Sequence, residues 1–366
     1  MRIKINQNKL SKALNIVSRI AAGSRATLPV LNNVLICAEK GKVSLSTTNL
    51  DMAIVDFLPI KPEEEGKITV PARLLAEFVG NLPRNEETEI TNKGTKVTVL
   101  AGKYQSVMNG VDAEDFPTLP EINEKKAVKF VVGVDEFKNG INQVIIASSN
   151  DMTRPALTGV YFNSFGGDLY IAATDGYRLA ERKLIKKIKS EVAVIVPTVS
   201  LQEVMRSIHD DIEEIEILFD ETLVTFRLGE IEITSTLIDG SFPDYRTLIP
   251  KDNEIALELK KEEVVRITKL AALFAKEVGG SIVCETKKGV FSIASVANEF
   301  GENSSEIETE VENSGKVTLN SKFLIDALNA IDEEEVKIEF SNKLTPVVVE
   351  NKKNKDYVHI IMPLKS

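Results

Sequence analysis

The 366-residue chain contains two cysteines and two histidines, and this scarcity removes several classes of function at the outset. Cys37 and Cys284 stand in apolar, strand-like runs far apart, so buried thiols in a reducing cytosol are expected rather than a disulfide or a metal site. His209 at a helix end and His359 inside the final strand belong to no metal-spaced set, and surface or strand roles are expected for them rather than catalysis. Glycine-rich strand-to-helix loops, a P-loop and a nucleophile elbow are missing too. No catalytic residue, metal or cofactor is therefore expected. No run approaches the ~20 apolar residues that a membrane span needs, and Met1-Arg-Ile-Lys-Ile-Asn6 enters a strand without a signal peptide's apolar segment. A cytoplasmic, non-enzymatic protein is the expectation.

What the chain does contain is a pattern repeated three times at a spacing of about 126 residues. The copies open with Arg2-Ile-Lys-Ile5, Val128-Lys-Phe-Val-Val132 and Ile255-Ala-Leu-Glu-Leu259, and close on strands expected to end at Pro117, Pro243 and Pro363. Within each copy a second strand-then-helix phrase appears, at Ile68-Thr-Val-Pro-Ala-Arg73, Val194-Ile-Val-Pro-Thr198 and Val317-Thr-Leu-Asn-Ser321. Six related half-units in three domains follow, over residues 1–124, 125–250 and 251–366. Each copy is long enough to bury its own core, so this is no short solenoid repeat.

Every half-unit carries one single-sided helix that must lie on a sheet, which predicts an α+β fold with helices on one face. The expected apolar stripes include Leu10, Ala13, Leu14, Val17 and Ile20 in the first helix, and Ile267, Leu270, Ala271 and Phe274 in the fifth. Lys9, Lys12 and Arg19 lie off the first stripe. The net charge of −10 argues against a nucleic-acid partner, but its distribution does not. The six helical segments sum to +3, leaving −13 for everything else. Helices turned toward one partner would present a weakly basic surface on an acidic body, suited to sequence-independent phosphate contact.

Six helices side by side at roughly 10 Å spacing would close a circle about 19 Å across their axes, leaving about 9 Å clear. Twelve helices from two chains would leave about 28 Å, enough for B-DNA at about 20 Å. A ring around a duplex would therefore need a dimer.

Several phrases narrow the reading further. Arg25-Ala-Thr-Leu-Pro-Val-Leu31, Val70-Pro-Ala-Arg73, Asp115-Phe-Pro117, Ala173-Thr-Asp-Gly-Tyr-Arg-Leu-Ala180, Asp239-Gly-Ser-Phe-Pro-Asp-Tyr-Arg246 and Met362-Pro-Leu364 together resemble the bacterial DNA polymerase III beta subunit family, the sliding clamps, from end to end and in register. The resemblance implies a head-to-tail dimeric ring that encircles double-stranded DNA and is loaded by an ATP-driven clamp loader. It also implies tethering of the polymerase III alpha subunit and of other replication and repair proteins that carry clamp-binding motifs, at the replisome on the nucleoid. A repeat scaffold that binds only proteins is the alternative.

Residue roles follow from the same resemblance. A groove for short linear motifs would use Leu157, Thr174, Gly176, Tyr177, Arg178, Leu179, Pro243, Leu248, Met362, Pro363 and Leu364. Tyr177 stands where the family often has a basic or imidazole side chain, and Thr247 where arginine is frequent, which alters the preferred motif. DNA contact would fall to Arg25, Arg73 and Arg154. The subunit interface would join Leu74, Lys103, Gln105 and Met108 to Ala272, Leu273 and the acidic stretch at Glu299, Glu302 and Glu306, and Ser106, where the family often has an aromatic residue, implies either a weaker dimer or an apolar centre moved to Met108 and Leu273. Read without the family, the Asp175-Gly176 phrase is simply a tight turn between two strands.

Overall fold

Alternating apolar and polar residues become strands, and the 3.6-period stripes become helices, in the same order three times. The first repeat runs β1 (Arg2–Asn6), α1 (Gln7–Val17), β2 (Asn33–Glu39), β3 (Lys42–Thr48), β4 (Met52–Leu58), β5 (Gly66–Pro71), α2 (Ala72–Gly80), β6 (Glu87–Lys93), β7 (Lys96–Ala101) and β8 (Tyr104–Asn109). The second runs β9 (Val128–Gly133), α3 (Val134–Ile145), β10 (Gly159–Phe165), β11 (Asp168–Thr174), β12 (Arg178–Ile185), β13 (Ala193–Pro197), α4 (Thr198–Ser207), β14 (Glu214–Phe219), β15 (Leu223–Leu228) and β16 (Ile231–Thr236). The third runs β17 (Ile255–Lys260), α5 (Lys261–Ala275), β18 (Ser281–Lys287), β19 (Val290–Ala297), β20 (Gly301–Glu308), β21 (Gly315–Asn320), α6 (Ser321–Asn329), β22 (Glu335–Phe340), β23 (Val347–Asn351) and β24 (Tyr357–Ile361). This computed structural model describes residues 1–21, 28–250, 252–276, 279–297, 301–341 and 343–364, without the side chains of 296 and 297.

The compact units do not coincide with the repeats. One unit comprises Met1–Val134 with Val199–Leu237, the other Asp135–Thr198 with Ile238–Ser366. The reason is strand pairing between repeats. In the first unit β4 pairs antiparallel with β16, from Met52↔Ser235 to Asp56↔Ile231, and makes one eight-stranded sheet ordered β5-β2-β3-β4-β16-β15-β14-β9. In the second unit β12 pairs with β24, from Arg178↔Ile361 to Arg182↔Tyr357, in a sheet ordered β13-β10-β11-β12-β24-β23-β22-β17. Each unit also holds a four-stranded sheet, β1-β6-β7-β8 in the first and β20-β19-β18-β21 in the second.

The helices bury the faces their sequences require. Leu10, Leu14 and Val17 of α1 are fully buried, each contributing roughly 1.5–3 kcal/mol. Asn6 caps α1 by accepting from the Asn8 N–H at 3.0 Å, and Asn320 caps α6 from Lys322 at 2.9 Å. In α5 the buried stripe is Val264, Ile267, Thr268, Ala271 and Ala275, so Leu270 points outward at 43 % exposure, against expectation. The three prolines lie beyond their closing strands, which end at Asn109, Thr236 and Ile361, so against expectation none is the last residue of its strand. Cys284 is buried, and its thiol is pushed up to about 12 by burial, whereas Cys37 is only half-buried.

Candidate partner groove and assembly edges

The expected groove residues all belong to the second unit. Its central feature is the turn from β11 into β12. Gly176 has φ +92°, a left-handed conformation that glycine adopts without strain. Asp175 Oδ1 accepts from the N–H groups of Tyr177 at 2.8 Å and Arg178 at 3.0 Å, and the Thr174 hydroxyl donates to the Arg178 carbonyl at 2.7 Å. The Met362 N–H then donates to the Tyr177 carbonyl at 2.8 Å, and the Leu364 N–H to the Thr318 carbonyl at 2.8 Å. The first bond brings Met362 to the turn, and the second ties Leu364 to β21. Leu157 and Leu179 are buried, while Tyr177, Pro243 and Leu248 are exposed. Such a surface suits an extended ligand with an apolar anchor.

Arg178 does not open into solvent. Its guanidinium reaches Asp326 of α6 at 2.7 Å and Asp175 at 3.1 Å, and stacks on Phe323 at 4.5 Å. Burial works to raise the Asp326 carboxyl, but Lys322 and Arg178 hold it below its ordinary value. Arg178 therefore braces the turn against α6. Phe323 and Asp326 were not expected from sequence, since neither lies near the turn along the chain. Behind them His359 is fully buried on β24, its Nδ1 2.9 Å from the Tyr357 hydroxyl. Burial, reinforced by Arg178, pulls its imidazole down to about 3, so it stays neutral at ordinary pH.

The same turn occurs in the first unit with different side chains. Thr48 donates to the Met52 carbonyl at 2.9 Å, Asn49 Oδ1 accepts from Asp51 and Met52 at 3.1 and 2.8 Å, and the Thr236 N–H donates to the Asp51 carbonyl at 2.9 Å. Leu50 takes the left-handed position at φ +80°, which is uncommon for leucine. Repeated backbone bonding identifies the turn as a property of the half-unit, and the side chains as what distinguishes one copy from the other.

The basic residues separate. Arg73 is exposed at the start of α2. Arg154 is pinned instead: its guanidinium pairs with Asp151 at 3.2 Å and donates to the Asp175 carbonyl at 3.4 Å, beside the groove turn. Arg19 pairs with Glu203 at 2.9 Å and donates to Ser207 at 2.6 Å, so the first helix offers less free positive charge than a count of its basic residues suggests. Arg25 lies outside the described residues.

Two strand edges bear on assembly. Among the described residues β8 pairs only with β7, and β20 only with β19. Each four-stranded sheet repeats one half of the eight-stranded order: β1-β6-β7-β8 matches β9-β14-β15-β16, and β20-β19-β18-β21 matches β4-β3-β2-β5. β8 and β20 thus occupy the positions at which β16 and β4 are joined. On and near these edges Leu74, Lys103, Gln105, Leu273, Glu302 and Glu306 are exposed, and Ala272 is half-buried. Met108 departs from expectation: it is 4 % exposed and packs into its own sheet, while its neighbour Val107 is 56 % exposed. Alternation along β8 decides this, because residues 106 and 108 face the core and 105 and 107 face away. Glu299 lies outside the described residues.

Comparison with known proteins accords with this architecture. The sequence profiles of the DNA polymerase III beta subunit match the chain in order, the N-terminal domain over residues 1–120, the central domain over 131–244 and the C-terminal domain over 246–365. The beta sliding clamp of Staphylococcus epidermidis is 30% identical over 371 aligned residues, covering 98% of this chain and 97% of the relative. The crystal structure of the DNA polymerase III subunit beta from Pseudomonas aeruginosa superposes with a TM-score of 0.94 at 28% identity, covering 100% of both chains. A sliding clamp from the same organism bound to griselimycin gives 0.93 at 28% identity, again over 100% of both. The chain belongs to the DNA polymerase III beta subunit, or beta sliding clamp, family of non-catalytic processivity subunits.

Proposed function

We propose that two copies of this chain close head to tail around duplex DNA and tether the replicative polymerase. The observation that carries this reading is the pair of unjoined edges. Pairing β8 of one copy with β20 of the other would complete a third sheet ordered β1-β6-β7-β8-β20-β19-β18-β21, the order already formed twice within the chain. A contact between different surfaces closes when its rotation returns to the start, which two copies of a threefold repeat achieve. Lys103 beside β8 and Glu302 and Glu306 on β20 supply opposite charge, and Leu74, Val107 and Leu273 supply apolar area. Three domains over residues 1–124, 125–250 and 251–366 would line the ring, with Arg73 and Arg25 meeting the DNA backbone without reading its sequence.

The groove at Thr174–Leu179, Pro243, Leu248 and Met362–Leu364 is the site for the polymerase III alpha subunit, the clamp loader and other motif-bearing partners. Griselimycin, carried by the related clamp, is the probe for it. Light scattering at micromolar concentration is expected to give twice the 40.3 kDa chain mass. Griselimycin is expected to bind wild type and to lose at least tenfold in affinity to Leu248→Asp, whose dimer mass stays unchanged. A monomeric mass would overturn the ring, and undiminished binding to the variant would overturn the groove.

A further inference from the structure

The phrase Phe242-Pro-Asp-Tyr-Arg246 follows the second repeat, yet only its proline belongs to the groove. Tyr245 opens a one-turn helix, Tyr245–Leu248, that carries Leu248 to the groove wall. So short a turn does little to place itself, even with the Thr247 hydroxyl donating to the Asp244 carbonyl at 2.9 Å and the Ile249 N–H to the Arg246 carbonyl at 3.3 Å. Its position is set from below. Tyr245 is 3 % exposed and donates its hydroxyl to Glu181 of β12, a carboxylate 7 % exposed, which also pairs with Arg246 at 2.7 Å. The Arg246 guanidinium lies over the rings of Phe165 at 3.9 Å and Tyr170 at 4.3 Å. Phe242 stacks on Tyr161 at 4.7 Å and meets Tyr245 edge-on at 5.9 Å.

A buried carboxylate beneath a surface connection is costly unless partners offset its desolvation, and Glu181 has a hydrogen bond from Tyr245 and an ion pair with Arg246. Here they fix direction as well as depth. The phenol and the guanidinium converge on one acid, so the turn is held in one rotation about the chain and Leu248 is presented on one side. Tyr245 also packs with Leu179, a buried residue of the groove, and with Ala172 and Ile360.

We propose that Glu181, Tyr245 and Arg246 form a latch of positioning residues that holds Pro243 and Leu248 in the binding-competent wall of the groove. Ligand affinity then scales with the fraction of molecules whose latch is closed. The inference rests on the groove reading above.

The test uses the full-length chain with labelled griselimycin and, independently of any ligand, hydrogen exchange over residues 238–250. Tyr245→Phe keeps the ring and removes only the hydroxyl; Glu181→Leu removes both the hydrogen bond and the ion pair. Each is expected to weaken griselimycin fivefold or more, mostly through slower association, and to raise exchange in 238–250 with little change elsewhere. The double variant is expected to be no weaker than Glu181→Leu alone, because both changes break one unit. Glu181→Gln, which still accepts from Tyr245, is expected to recover part of the loss. Affinity within twofold of wild type in both single variants, while Leu248→Asp abolishes binding, would overturn the latch. Exchange in 238–250 unchanged, or raised equally across the whole chain, would overturn it as well. If wild type fails to bind griselimycin, the groove reading falls, and the exchange arm alone decides the latch.

Discussion

Asp56 lies in β4 at the seam between repeats, paired with Ile231 of β16, and is 8 % exposed. Burial pushes its carboxyl up from an ordinary 3.8 to about 6; His209 and Lys12 pull it back, and Glu230 adds to the rise. The folded protein therefore holds a proton between about pH 4 and 6 that the unfolded chain has released, and stability falls as pH rises through that window. A rise from 3.8 to about 6 corresponds to roughly 3 kcal/mol at most. Asp56→Asn is expected to match or exceed wild type in urea denaturation at pH 7.5 and to lose that advantage at pH 4.5. Equal destabilisation at both pH values would mean that the carboxyl is held by bonds worth more than its burial costs. Residue-scale roles were unevenly legible: the groove phrase was visible in sequence, but the pinning of Arg154 by Asp151 depends on a loop conformation that no periodicity encodes.

At the scale of elements, β8 offers a sharper test than any single interface contact. Gly110 N–H bonds to Thr95 on the β7 side, whereas Val111 exchanges bonds with Thr69 on the other side. Continuing that alternation inward turns the N–H groups of Gln105 and Val107 toward the unpaired edge. Gln105→Pro removes one outward donor and leaves the β7 ladder intact, and edge strands tolerate proline. It is expected to raise the dissociation constant of the dimer at least tenfold while circular dichroism stays that of the wild type. A variant that remains dimeric at the same concentration would exclude β8 as the joining edge. Helices and strands themselves were legible because their signals are local, a 3.6-residue stripe or strict alternation. The rotation of α5 that exposes Leu270 was not, since a stripe of Ile267, Leu270, Ala271 and Phe274 and one of Val264, Ile267, Thr268 and Ala271 overlap on the same helix.

For the whole molecule, the proposed hold on DNA is topological, so direct contact with the duplex is expected to be weak. Binding to a short linear duplex is expected to fall steeply with salt, with a slope of about −0.9 per phosphate contacted. Clamps loaded on nicked circular DNA are expected to persist through gel filtration at a salt concentration that abolishes short-duplex binding, and to be released when the circle is cut. Retention that survives linearisation would replace encirclement by direct binding; no retention on circles would favour a protein-only scaffold.

The sequence by itself determined the threefold period, the strand-then-helix phrase of each half-unit, the buried face of α1 and the turn at Asp175-Gly176, because each is written in residues close together along the chain. Only the tertiary structure decided which repeats share a sheet. The β4 to β16 and β12 to β24 ladders join residues roughly 180 positions apart, and backbone bonds of that range carry no local sequence signature. Alternation along β8 buries Met108 and exposes Val107, but only the tertiary structure sets Glu181 beneath Tyr245 and Arg246 and leaves β8 and β20 with one partner strand each among the described residues.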